Sequence, residues 1–160
     1  VQNKLLWAIS QQTAAELVYR RVDASLPLLG MQSYAEAVDK PIRKGDVSIA
    51  KNYLHEEEMK LLGLLVEQYL AFAETMAQQQ TPMSMQDWIE RLDSIIQLNG
   101  RELLDHAGKI SHQMAIERTT EAYDRYQQER KRQQRYENLS ELEADIKALS
   151  GPNGPLKGEA

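Results

Sequence analysis

The chain has no cysteine, which removes disulfides and thiolate metal sites from consideration and fits a reducing, cytoplasmic setting. It has one Phe and two Trp, so any core must be built mainly from Leu, Ile, Val, Ala and Met. The longest apolar run, residues 61–66, is interrupted by Gly63 and is far too short to span a bilayer, and no signal-peptide pattern opens the chain. An excess of basic charge is also lacking. The net charge is −5, which argues against a grip on nucleic acid by the whole surface. There is no Gly-rich phosphate loop, no His-Glu-x-x-His helix, no Gly-x-Ser-x-Gly elbow and no internal repeat, so phosphate-loop, zinc-hydrolase and serine-hydrolase chemistries have no motif to stand on.

What is present is helical periodicity. With 160 residues, 42% hydrophobic and 27% charged, the chain has the size and balance of one soluble domain with a real core. The stretch 46–77 reads as its centre. Met59, Leu62, Leu65, Val66, Tyr69, Leu70, Ala73 and Met76 recur mostly at steps of three and four, the spacing of one helix face. Leu61, Leu64 and Phe72 widen that face, so neighbours are expected on more than one side. Glu56, Glu57 and Glu58 crowd the first turn, where the helix dipole favours carboxylates, although His55 is a poor residue for the cap itself.

In chain order, Val1, Leu5, Ala8 and Ile9 form a first stripe, and an opening that reads like mid-helix creates the expectation that residues precede Val1. Thr13 and Glu16 form a capping box for a short helix to about Arg21. Pro27, Gly30, Pro41 and Gly45 then break the period. The loop they punctuate is too rich in Leu, Met, Tyr and Ile to be a free linker, so it is expected to lie pinned across the helices, with a short hairpin near 34–43. Asp46 can cap a short helix over 47–53. A second box, Ser84 with Asp87, opens a helix through Trp88, Leu92 and Ile96 that Asn99-Gly100 should end. A short helix is expected over 101–107 and a long one over 110–135. A third box, Ser140 with Glu143, predicts a separate small helix with Leu142, Ile146 and Leu149 inward. The resulting expectation is an all-α fold, an irregular bundle of five to seven helices with one long ordered loop. It comprises a bundle domain over 1–137, a short helix over 138–150 and a disordered tail over 151–160.

Four constellations could carry chemistry. His106 and His112 lie six apart and His55 is remote, so the histidines read as surface or capping residues and no metal or other cofactor is expected. Arg130, Lys131, Arg132 and Arg135 form a basic run that could meet DNA phosphates. Interleaved Glu129 and Glu137 favour a solvated helix face instead. Asn3, Lys4, Glu16, Arg21 and Asp23, with Lys51 and Asn52 beyond the loop, are the candidate polar site: gathered together they could hold an anion or do acid–base work, and otherwise they are ion pairs that pin the loop. Tyr69, Phe72 and Trp88 read as core.

The segments VQNKLLWAI, TAAELVYRRVDA, GDVSIAKNYLHEEEMKLLGLLVEQYLAFAE, MSMQDWIERLDSI and AGKIS, in that order from Val1 to about Tyr126, resemble the RhuM family of bacterial virulence-associated proteins. His55 departs from the family, which has a better capping residue there. The resemblance implies a C-terminal helical domain, with a small DNA-binding module of the phage-regulator kind upstream. It places the protein with pathogenicity islands and prophage regions, and implies no established biochemical activity. Some related chains carry a Fic-type AMP-transfer signature, which has no counterpart here. The reading is therefore a cytoplasmic interaction module that self-associates or binds a protein partner, with no membrane contact and with DNA reached through an upstream segment. The alternative is an enzyme or toxin-type domain using the polar site named above.

Overall fold

The computed structural model describes residues 1–34 and 41–151. Five α-helices and three short 3-10 turns account for its regular structure, and no strand occurs among the described residues. The fold is all-α, as the periodicity predicts. The helices are α1 (Gln2–Ser10), α2 (Ala14–Arg21), α3 (Glu56–Gln78), α4 (Met85–Leu98) and α5 (His112–Leu149). The chain divides into two compact units, Val1–Tyr123 and Asp124–Ala160, so α5 contributes to both.

In the first unit, α1 stops where Gln11 turns left-handed (φ 56°) and its N–H reaches the Trp7 carbonyl. Thr13 then starts α2 through the expected capping box. Its hydroxyl accepts from the Glu16 N–H (3.3 Å), and the Glu16 carboxylate accepts from the Thr13 N–H (3.2 Å). The second box, at Ser84 and Asp87, starts α4, and Gly100 (φ 73°) ends it beyond Asn99. His55 does occupy the N-cap of α3. Glu58 compensates by accepting the His55 N–H at 2.9 Å.

The core does not centre on α3. Leu65 is its one fully buried residue, while Leu64 and Leu70 are 55% and 60% exposed. This helix packs on α1 and α4, and most of the rest of its wide apolar face, including Leu62, Val66, Tyr69 and Phe72, is only half-buried. Most of the fully enclosed side chains lie instead on α2 and on the segment after it: Leu17, Leu29, Val47, Tyr53 and Leu54, joined by Leu92 and Ile96 of α4. Each such leucine contributes roughly 1.5–3 kcal/mol of burial. The pinned loop is thus a wall of the core. Leu29, Met31 and Ile42 are buried, although Leu26 and Leu28 of the same loop face outward. Tyr69, Phe72 and Trp88 do meet edge to face, with ring centroids 5.9 and 6.1 Å apart, but they are half-buried.

Three helix expectations give way. Residues 47–53 form two 3-10 turns, Asp46–Ser48 and Ala50–Tyr53, because Ile49 between them is extended. Residues 101–107 are irregular, set between left-handed Gly100 and Gly108. Residues 138–149 are no separate helix: α5 runs unbroken to Leu149, and Ser140 lies within it. Neither Gly nor Pro occurs between Gly108 and Gly151, so nothing interrupts the hydrogen-bond ladder there. The hairpin expected near 34–43 falls mostly on 35–40, and the tail on 152–160; both lie outside the described residues.

Candidate functional site

The seven polar residues singled out in the sequence are held by different partners. Asn3 accepts the Ala14 N–H at 2.9 Å, capping α2 from α1. Lys4 pairs with Asp93 at 2.7 Å. Asp23 accepts from the Ser25 hydroxyl and N–H, which hold its carboxyl below the usual range. Asn52 donates to the Asp46 carbonyl, and its own carbonyl accepts from the N–H groups of Gln32 and Ser33. Lys51 is exposed on the turn that packs against α2.

Glu16 and Arg21 are the two residues with built surroundings. Glu16 is 3% exposed. Burial pushes its carboxyl up, but hydrogen bonds from the Lys109 and Thr13 N–H groups, with Arg20 and His106 nearby, bring it below the ordinary value. The Lys109 bond is 2.8 Å long and ties the irregular 101–111 segment to the start of α2. Gly108 makes the approach possible, because its left-handed backbone lies directly over Thr13 and Glu16. Arg21 forks onto Glu58 at 2.6 and 3.1 Å and also donates to the Tyr53 carbonyl at 2.9 Å. Burial opposes the Glu58 charge, yet Arg21 and the His55 N–H together hold its carboxyl low. Tyr53, fully enclosed, donates to the Val47 carbonyl at 2.5 Å, and burial raises its phenol.

Apart from Lys51, these contacts commit the cluster to caps, turns and cross-links between elements. A cleft of about 260 Å³ opens between α1, α2, the 46–53 turns and the start of α5, but its polar lining is Gln2, Ser48 and His112, and none of the seven residues borders it. The histidines stay apart in role. His55 meets Gln32 at 2.6 Å, while His106 accepts the Gly108 N–H and stands edge-on to Trp7. Among the described residues no group of His, Asp and Glu is placed to hold a metal.

The second unit presents a different kind of surface. Arg130, Lys131, Arg132 and Arg135 are all exposed, and Arg132 pairs with Glu129 at 2.9 Å. Leu139, Leu142, Ile146 and Leu149 follow at steps of three, four and three, a two-heptad seam. They are 59%, 56%, 57% and 84% exposed, so the inward placement expected for Leu142, Ile146 and Leu149 does not hold. The capping pattern at Ser140 assigns those leucines to a small packed helix and hides the row. Their heptad spacing, continuous with the helix before it, was the available signal.

No helix among the described residues is long and apolar enough to cross a membrane. No curated protein and no solved structure matches the chain. A family model does: that of the virulence protein RhuM family, over residues 1–134. Since the match takes in α1 to α4 and more than half of α5, the chain belongs to the RhuM family.

Proposed function

We propose that this chain is a self-associating helical module of a cytoplasmic RhuM protein, serving a DNA-binding segment that lies upstream in the sequence. The observation that carries this reading is the row Leu139, Leu142, Ile146 and Leu149, four large apolar side chains exposed at coiled-coil spacing. A lone exposed leucine is ordinary, but a periodic stripe on a helix that is otherwise charged is the pattern of a helix meeting another helix. The first unit supports the same role. Its loop and helices are tied together through Glu16 and Arg21.

Sedimentation velocity over a concentration series tests it. The chain is expected to shift from monomer to dimer, and Leu142→Asp with Ile146→Asp to remain monomeric with unchanged helicity. A wild-type chain that stays monomeric throughout overturns the proposal. DNA contact by the Arg130–Lys131–Arg132 run alone is expected to be weak, and lost as salt rises.

A further inference from the structure

The helix of the second unit is polarised along its length. Residues 124–135 carry five basic and two acidic side chains, a net +3, while residues 136–149 carry four acidic and one basic, a net −3. The seam is divided in the same way. Extending the heptad of Leu139, Leu142, Ile146 and Leu149 towards the N-terminus places Arg135, Arg132 and Gln128 at the seam positions. One half of the seam is therefore apolar and the other is made of long side chains with charged or polar tips.

We infer that this helix pairs with the same helix of a second copy in antiparallel orientation, about a two-fold axis near residue 137; the inference rests on the self-association proposed above. Parallel pairing sets Arg132 against Arg132 and Arg135 against Arg135, and lays each half on a half of its own sign. Antiparallel pairing about residue 137 sets Leu142 against Arg132, Leu139 against Arg135 and Ile146 against Gln128. The methylene stems of arginine and glutamine then cover the leucine and isoleucine side chains, while the guanidinium tips lie near Glu143 and Asp145, the positions that border the seam. Arg132 exchanges its exposed partner Glu129 for these carboxylates. The basic run and the exposed apolar row, which have no common use within one chain, are both satisfied by this single occupant.

The absence of native cysteine makes the orientation directly readable. Full chains bearing Leu142→Cys or Arg132→Cys, distinguished by a tag, are oxidised mildly alone and as a mixture. The mixture is expected to give the crosslinked heterodimer, since the two positions face each other. Leu142→Cys alone is expected to give none, because two copies of residue 142 are then ten residues apart along the axis, about 15 Å, beyond the roughly 4.4–6.8 Å Cα separation of a disulfide. A second chain exchanges the polarity, with Arg130, Lys131, Arg132 and Arg135→Glu and Glu141, Glu143 and Asp145→Lys. It is expected to pair with itself and to leave the wild type alone. Crosslinking of Leu142→Cys with itself, or pairing of the exchanged chain with wild type, overturns the antiparallel arrangement while leaving self-association intact. A wild-type chain that is monomeric by sedimentation removes both.

Discussion

Replacing Gly108 by alanine tests whether the contact between the 101–111 segment and α2 is rigid. The backbone at Gly108 has φ 86°, and an added Cβ would lie 2.8 Å from Thr13 Cγ2, 2.9 Å from Glu16 Oε1 and 3.0 Å from Thr13 Oγ1. Thr13 and Glu16 are 2% and 3% exposed and bound to each other, so neither can swing away. The left-handed conformation costs alanine about 1–2 kcal/mol. Forcing a methyl into filled space adds about 1–3 kcal/mol. If the segment lifts to avoid the clash, it breaks the Lys109 N–H bond to a buried carboxylate, at a cost of about 1–3 kcal/mol. Either route gives a loss of roughly 2–5 kcal/mol. Gly100→Ala separates the two contributions, because Gly100 has φ 73° and nothing lies within 4 Å of the point its methyl would occupy. It should lose about 1–2 kcal/mol only. Urea unfolding followed by helical circular dichroism measures both variants, and adding Thr13→Ser to Gly108→Ala, which deletes the nearest atom, should restore part of the difference. Equal losses for Gly108→Ala and Gly100→Ala would refute the reasoning.

Arg21→Met should cost about 3 kcal/mol, because it leaves the largely buried Glu58 carboxylate with the His55 N–H but no charge partner and takes a donor from the Tyr53 carbonyl. Glu58 and Glu16 both have folded values below the ordinary 4.5, so their contribution is present above that pH and is lost as pH falls through the folded values. Denaturation midpoints measured from neutral to acid should therefore decline in the wild type and decline less in Arg21→Met. Leu65→Ala, at the one enclosed position of α3, should lose about 2–5 kcal/mol in the same assay. Gly63→Ala, an exposed mid-helix site with open space around it, should gain about 0.8–1 kcal/mol; a loss there would mean that α3 is covered on that side.

Local chemistry was legible in the sequence, and distant chemistry was not. The caps at Thr13 and Ser84 and the stop at Asn99-Gly100 were readable because each depends on residues within one turn. The burial of Leu29, Met31 and Ile42 in the loop was readable from their apolar character. Periodicity does not locate the centre of the core, because it reports the width of an apolar face and not how much of it finds a neighbour. Leu64 and Leu70 of α3 have the right spacing and remain exposed. The polar residues read from the sequence as a site or as ion pairs pinning the loop, but their pairings reach across the chain, as with Arg21 to Glu58 and Lys4 to Asp93, and one sequence carries no signal for that. The seam at Leu139 to Leu149 was written in the sequence as a heptad and obscured by a capping pattern at Ser140 that has no helix end to cap.

The bond from Lys109 to Glu16 joins groups 93 residues apart. During synthesis, Glu16 emerges from the ribosome long before its second donor exists. Until residue 109 has cleared the exit tunnel, the carboxylate has its bond from the Thr13 N–H but not the one from Lys109. The helices α1 and α2 are therefore made well before this latch, and a chain arrested before residue 109 lacks it.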